Sequence, residues 1–383
     1  MQTKRIKVFF FIDRFRIGGM HRQVLYLVRH LNKDVFEPIV CAQSHLGGLG
    51  EEFKDTGCKL IDLKWNGRGS LAILYRLIES LYSESPDIIF ITQAPNFIYY
   101  QLARIFWHKT VILIGSFRAL TFWLGHKNKL YELLDIQLSK LLYIRSDHVV
   151  VNSIAMKDHY SQVLKLNSHK GLDIILNGSD FNFPISRKAF DIRGEYNITL
   201  NEIIIVMIAR LDPWKDFTTL LETAKIVIEK DKRAKFLIVG DGELRKSIEQ
   251  LIIQMDLKEH VLLIGEKKDV FNFINLSDIS VLSTNGEGFS NSILESMAFS
   301  KPIVATAVGG NVELIGETKK YGLLIPQKSP QMFAEAILYL MQNEIARKEI
   351  GSAANKRIQQ LCSIKTYVSS YEELFSNSLI MKS

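Results

Sequence analysis

The feature that most constrains this chain is an alternation repeated along its length. A short run rich in Ile, Val, Leu and Phe is followed by a stretch with apolar residues at helical spacing, and then by another such run. The first set of runs is Lys7–Ile12, Glu37–Ala42, Asp87–Thr92, Thr110–Gly115, His148–Asn152 and Asp173–Leu176. The second set is Glu202–Ala209, Lys235–Val239, Val261–Ile264, Ile279–Ser283, Pro302–Thr306 and Gly322–Ile325. Amphipathic stretches such as His21–Leu31, Leu71–Ser83, Phe217–Lys230 and Leu244–Met255 lie between them. Strand, helix, strand in repetition predicts the α/β class, with parallel sheets covered by helices on both faces. The runs are almost continuously apolar, as strands buried on both sides must be.

The first set ends near Asn177-Gly178-Ser179-Asp180, and an irregular stretch, Phe181–Leu200, precedes the second set. The expectation is two doubly wound, Rossmann-like domains in tandem, 1–182 and 183–363, followed by a C-terminal segment, 364–383. The length of 383 residues agrees, because single cores stop growing below that size. Open sheets of this kind bind ligands beyond the C-terminal ends of their strands, so a cleft between the two domains is the expected site.

Composition narrows the setting. Three cysteines, Cys41, Cys58 and Cys362, show neither pairing nor metal-ligand spacing, which suits a reducing interior. The basic N-terminus runs into only five apolar residues, Val8–Ile12, before Asp13 and Arg14; this reads as a first strand and not as a leader. No stretch is long enough to cross a bilayer as a helix. A cytoplasmic protein is expected. Charge is unevenly shared: residues 1–183 hold 23 Lys and Arg against 16 Asp and Glu, whereas 184–383 hold 25 of each. Between Asp87 and Glu132 there is no acidic residue, and Arg104, Lys109, Arg118, Lys127 and Lys129 are interleaved with Phe97, Tyr99, Tyr100, Phe106, Trp107, Phe117, Phe122 and Trp123. That mixture suits peripheral contact with an anionic membrane surface. No nucleic-acid-binding motif accompanies the charge, so nucleic acid is not an expected partner.

The chemistry-bearing residues cluster in the second half. Arg210 and Lys215 follow the run Ile203–Ile208, with Pro213 near the start of the next helix. A diphosphate there would meet two cations and helix amides. Glu287 and Glu295 stand eight apart in Glu-Gly-Phe-Ser-Asn-Ser-Ile-Leu-Glu. The spacing puts Glu287 in a loop and Glu295 more than one turn into a helix beginning at Ser290. Carboxylates can accept from vicinal hydroxyls, and the amides of Gly288, Phe289 and Ser290, next to Asn291, could hold sugar or phosphate. Gly240-Asp241-Gly242 is a strand-to-helix turn, Gly265-Glu266-Lys267-Lys268 a candidate nucleobase loop, and Gly18-Gly19 a point where backbone could approach an anion. Together these suit a ligand with a central diphosphate and hydroxylated rings at both ends, a nucleotide sugar. There is no Asp-x-Asp metal-diphosphate motif, no His/Cys zinc cluster and no Gly-x-Ser-x-Gly elbow. No cofactor and no essential metal are therefore expected, the phosphate charge being met by Arg210, Lys215 and backbone.

Taken jointly, Gly18-Gly19, Ile175–Asp180, Ala209-Arg210-Leu211 with Lys215, Gly240-Asp241-Gly242 and the Glu-x7-Glu pair resemble the retaining glycosyltransferases of family 4 (glycosyl transferases group 1), over essentially the whole chain. The resemblance implies the GT-B fold, two Rossmann-like domains facing each other across a cleft. It implies a UDP- or GDP-type sugar donor held mainly by the C-terminal domain, with Arg210 and Lys215 on the diphosphate, Glu295 on the ribose and Glu287 near the donor sugar. A glycan or lipid-linked acceptor would dock on the N-terminal domain, and the C-terminal helix, roughly Ile364–Phe375, would pack back across the junction. A bacterial surface-polysaccharide pathway, at the inner face of the membrane, fits that family. Many relatives carry a histidine in the loop after the run Thr110–Gly115; here the loop reads Ser116-Phe117-Arg118-Ala119, and Arg118 is the candidate for contact with the donor. The alternatives are a nucleotide-sugar epimerase of the same architecture and a non-catalytic partner subunit that binds a nucleotide sugar.

Overall fold

The structure is a computed structural model that describes all residues except 1–3, 16–17, 45–46, 66–70, 93, 119–128, 167–170, 184 and 382–383. It divides into two compact units, residues 1–178 with 364–383, and residues 179–363.

The first unit runs β1 (Ile6–Arg14), α1 (Gly19–His30), β2 (Phe36–Ser44), α2 (Gly50–Lys54), β3 (Lys59–Asp62), α3 (Leu71–Glu84), β4 (Ile88–Ile91), α4 (Ala94–Ala103), β5 (Ile112–Phe117), α5 (Lys129–Arg145), β6 (His148–Val151), α6 (Ile154–Val163) and β7 (Asp173–Ile174). The second runs α7 (Ala189–Glu195), β8 (Ile203–Ile208), α8 (Phe217–Lys230), β9 (Ala234–Val239), α9 (Arg245–Gln254), β10 (Val261–Gly265), α10 (Val270–Leu276), β11 (Ile279–Leu282), α11 (Asn291–Ala298), β12 (Ile303–Thr306), α12 (Gly310–Ile315), β13 (Leu323–Ile325), α13 (Pro330–Gln342) and α14 (Glu344–Leu361). The last helix, α15 (Ile364–Ile380), belongs to the first unit.

Both sheets are parallel. Their strand orders are β3-β2-β1-β4-β5-β6-β7 and β10-β9-β8-β11-β12-β13. The order therefore reverses between β1 and β4 in one unit, and between β8 and β11 in the other. Reversal points of this kind open a crevice at the C-terminal strand ends.

Strand β1 shows why the sheet needs its apolar sequence. Val8, Phe10 and Ile12 point into a core completed by α1 and α15, while Phe9 and Phe11 point into the opposite core with Ile73, Leu77, Phe97 and Leu113. Phe375 of α15 sits among Phe36, Phe10 and Phe90, at ring-centroid distances of 5.9, 6.4 and 6.5 Å. Tyr367, Tyr371 and Phe375 are buried, and each large apolar side chain removed from water contributes about 1.5–3 kcal/mol.

Three expectations change. The edge strand β3 falls where no apolar run was recognised, because Lys59 and Asp62 flank only two apolar residues. The stretch 181–200 is not wholly irregular: it contains α7, whose Ile192 packs with Ile198 and Phe273 in the core of the second unit. The aromatic residues of the basic window are mostly core. Phe97, Tyr100, Trp107 and Phe117 are buried, and Phe106 alone of that group is more than half exposed among the described residues. Phe122, Trp123 and Lys127 lie outside the described residues.

The change of unit at 178/179 has a local cause. Gln23 of α1 grips Gly178 at both backbone groups, donating to its carbonyl at 2.9 Å and accepting from its amide at 2.8 Å. One residue later, the Ser179 amide donates to the Cys362 carbonyl at 2.9 Å.

Candidate active site

The C-terminal strand ends of the second sheet carry the residues singled out above. Leaving β8, the chain is pinned to the β9 loop: the Ala209 amide donates to Val239 O and the Leu211 amide to Asp241 O, both at 3.0 Å. Gly240 makes this approach possible. Its φ is +145°, and a Cβ there would lie 1.9 Å from the Ala209 carbonyl oxygen. Gly240 in turn donates to the Gly265 carbonyl at 2.9 Å, which ties the β9 and β10 ends together.

Arg210 projects outward, its side chain 60% exposed, with Nε and Nη2 each 2.9 Å from Asp212 Oδ2. Asp212 Oδ1 also accepts from the Trp214 amide at 3.1 Å, which shapes the turn Arg210–Lys215. Helix α8 coincides with the amphipathic stretch Phe217–Lys230. Asp216 is its N-cap and accepts from the Thr219 amide and hydroxyl at 3.1 and 2.7 Å. Pro213 and Lys215 thus sit in the turn before the helix, and a protein carboxylate already occupies one first-turn amide.

The loops after β8 and β11 are stitched across the strand-order reversal. Trp214 O accepts from the Asn285 amide at 2.8 Å and from Thr284 Oγ1 at 3.0 Å, and the Asp216 amide donates to Ser283 O at 3.2 Å. This stitching brings Lys215 to Glu287. Lys215 Nζ donates to Glu287 Oε2, and both side chains are buried. Desolvating one such charge costs several kcal/mol, and the partner offsets that cost only in close, hydrogen-bonded geometry. In this structure Lys215 and Glu287 are each other's partner.

Gly309 and Gly310, which sequence reading passed over, fix the Glu287 backbone. Gly310 donates to the Glu287 carbonyl at 3.1 Å. Gly309 has φ +47°, and a Cβ there would lie 1.8 Å from that same oxygen; one on Gly310 would lie 2.3 Å from Gly288 O. The signal was the Gly-Gly dipeptide after the run Pro302–Thr306.

Helix α11 begins as expected. Ser290 caps it, accepting from the Ile293 amide at 3.3 Å; Asn291 is its first residue, and Glu295 lies half-buried in its second turn. Phe289 is a core side chain. Lys267 Nζ lies 5.9 Å from the centroid of the Tyr196 ring, at the C-terminal end of α7. A cavity of about 300 Å³ opens beside Lys215, lined by Pro213, Asp216, Leu244, Ser247 and Asn285 among others. It is at the small end of ligand pockets.

In the first unit, Gly18 is the N-cap of α1 and Gly19 its first residue. Gly18 is in extended backbone (φ 169°), which makes no special demand for glycine. The C-terminal end of β1 also carries an acid–histidine pair, Asp13 Oδ1 to His21 Nε2 at 2.6 Å. Arg118 faces inward. It donates to Ser116 Oγ at 3.0 Å, to Asn177 Oδ1 at 2.8 Å and to Tyr371 Oη at 2.5 Å. Burial raises the Tyr371 phenol well above its ordinary value, so its oxygen remains a neutral acceptor at any physiological pH. Arg118 thereby joins the β5 end, the Asn177-Gly178 turn and α15.

Two family profiles cover most of the chain: Glycosyltransferase Family 4 matches residues 17–183, and Glycosyl transferases group 1 matches residues 189–357. The N-acetyl-alpha-D-glucosaminyl L-malate synthase of Bacillus anthracis is 26% identical over 314 residues, 81% of this chain and 79% of that protein. A Campylobacter jejuni enzyme, N-acetylgalactosamine-N,N'-diacetylbacillosaminyl-diphospho-undecaprenol 4-alpha-N-acetylgalactosaminyltransferase, is 26% identical over 296 residues, 77% of each chain. Among solved structures, Anabaena HepE in complex with UDP and glucose superposes with a TM-score of 0.82 at 18% identity, covering 97% of this chain and 100% of that one. Two parallel α/β units, the loop constellation at the β8–β11 reversal and these matches agree: the chain belongs to the glycosyl transferases group 1 and has the GT-B fold.

Proposed function

We propose that this chain transfers a glycosyl group, with retention at the anomeric carbon, from a nucleoside-diphosphate sugar to a glycan or lipid-linked acceptor in surface-polysaccharide synthesis. The observation that carries the reading is the Lys215–Glu287 pair, set across the strand-order reversal of the second sheet by loops hydrogen-bonded to one another. The Campylobacter relative is named for a diphospho-undecaprenol acceptor and HepE is in complex with UDP and glucose, which supports the donor and acceptor classes.

In this reading the donor diphosphate draws Lys215 Nζ into contact with its oxygens, Glu287 keeps the ammonium oriented, and Arg210, exposed at the rim, closes on the second phosphate. Glu295 accepts from ribose hydroxyls. As the bond between the anomeric carbon and the phosphate oxygen breaks, negative charge grows on the diphosphate, where the two cations stabilise it. The acceptor oxygen bonds to the anomeric carbon from the same face, and its proton passes to the departing phosphate oxygen. The UDP or GDP type of donor follows the family; no metal is assigned a step.

Peripheral membrane contact is part of the proposal. Leu71, Tyr75 and Tyr82 of α3, Ile105 and Phe106 after α4, and Leu133 and Ile144 of α5 are all more than half exposed. Helices α3, α4 and α5 pack side by side, and Arg104, Lys109, Lys140 and Arg145 lie on or beside the same elements. Apolar side chains rimmed by cations suit an anionic bilayer surface.

The deciding experiment is transfer from a panel of UDP-, GDP- and ADP-sugars to a lipid-diphosphate-linked acceptor, with the product's anomeric configuration read by NMR. A product with the donor's configuration supports the proposal. An inverted product, or conversion of the donor alone without acceptor, overturns it.

A further inference from the structure

A second feature of the 179–363 unit lies outside the strand-end loops. A groove of about 620 Å³ runs between α14 and the loop that joins α12 to β13. Its charged lining is Lys320, Lys348, Lys356 and Arg357, against one carboxylate, Glu349. This concentration is out of keeping with its surroundings. Residues 179–363 hold 23 Lys and Arg against 24 Asp and Glu, yet no acidic residue occurs between Glu349 and Glu372.

The cations are arranged, not scattered. Lys348, Ser352 and Lys356 recur every fourth residue of α14 and so share one helix face. Glu344 pairs with Lys348 at 2.6 Å, but the Lys356 ammonium makes no hydrogen bond or ion pair among the described residues. Arg357 is anchored. Its Nε donates to Leu314 O at 2.7 Å and its Nη2 to Glu313 O at 2.9 Å, closing the last carbonyls of α12, while Nη1 is left out of that grip. The Tyr321 ring fixes it further: the guanidinium carbon lies 4.7 Å from the ring centroid, and Lys320 Nζ lies 5.3 Å from the same centroid. A pre-oriented guanidinium with ammonium groups around it is the donor set that oxyanions select.

We propose that this groove is a second anion-binding site, which takes a ligand bearing two or more phosphate-class oxyanions on Lys320, Lys356 and Arg357. Its volume admits a group of diphosphate or phosphosugar size. The proposal does not depend on the reading of the Lys215–Glu287 site.

The test uses the full-length chain and inorganic pyrophosphate, titrated calorimetrically at fixed ionic strength. Three proteins are compared: wild type, Lys320→Glu/Lys356→Glu, and a control reversal of two exposed lysines elsewhere in the unit, Lys225→Glu/Lys232→Glu. The groove reversal is expected to weaken pyrophosphate binding at least about tenfold, and the control less than about twofold, the residual being long-range charge. Equal weakening in both variants, or none in the groove variant, overturns the proposal. Flotation with phosphatidylglycerol vesicles then separates the sources. Vesicle binding that is lost in the groove variant and displaced by pyrophosphate assigns a lipid headgroup; pyrophosphate binding without vesicle binding assigns a soluble phosphate compound.

Discussion

Lys215 and Glu287, 72 residues apart in the chain, meet as a buried hydrogen-bonded ion pair across the β8–β11 reversal. Neither loop alone supplies the contact. It exists because Trp214 O binds Asn285 and Thr284 and because Gly309 and Gly310 press on the Glu287 backbone.

Removing one member leaves the other charge buried without its partner. Glu287→Leu or Lys215→Met alone is therefore expected to cost about 3–5 kcal/mol of stability in denaturant unfolding. The double variant Lys215→Met/Glu287→Leu should recover most of that loss while glycosyl transfer stays abolished. A double variant as unstable as the single ones would show that the pair is not the coupled unit described here.

Gly309→Ala tests the backbone contact. The new methyl would meet the Glu287 carbonyl oxygen in a backbone conformation that side chains rarely adopt. The expected result is a fall in kcat/KM of about 100-fold or more, since misplacing a positioning group by about 1 Å costs on that order. Wild-type kinetics in the Gly309→Ala variant would mean the loop geometry has no bearing on turnover.

Tyr371→Phe removes the oxygen that accepts from Arg118. Hydrogen bonds to charged groups contribute about 1.5–3 kcal/mol, so stability should fall by that amount while the donor KM holds steady. A shift in donor KM with no change in stability would return Arg118 to the donor-binding role its position in the sequence suggested.

Alkaline pH should loosen the first unit. Burial pushes the Tyr100 phenol up to about 12 and raises those of Tyr160 and Tyr371 further. A phenol whose folded value lies above its unfolded value of about 10 favours the folded state fully below pH 10, and that contribution is lost as pH rises through the folded value. The tyrosine contribution to the unfolding free energy should be flat up to about pH 10 and then decline towards pH 12, with phenolate absorbance appearing late. Early, independent ionisation of all tyrosines would contradict the burial described.

Much of this was legible in the sequence because strands buried on both faces leave a continuous apolar signature. Ile203–Ile208 and Ile279–Leu282 could be read directly, and with them the loops that carry Lys215 and Glu287. The edge strand β3 was not legible: an edge strand needs little apolar sequence, and Lys59-Leu60-Ile61-Asp62 has only two such residues. Spacing correctly placed Glu287 in a loop and Glu295 in a helix. It could not show that Lys215 and Glu287 bind each other, or that Arg118 turns inward, since both depend on contacts between segments distant in the chain. The aromatic content of the basic window did not separate core from surface, because a ring in either place has the same letter: Phe97 and Trp107 are core, whereas Phe106 is exposed.

The fate of α15 has a consequence for how this chain is made. Tyr367, Tyr371 and Phe375 fill the β1–β2 face, yet the whole of the second unit separates them in the chain from the strands they cover. During synthesis the first 178 residues emerge with that face uncovered, and they must wait through the whole of the following unit for their final helix. Order of translation and order of folding are thus inverted: the unit made second can finish first, and the one begun before it closes only once α15 has emerged.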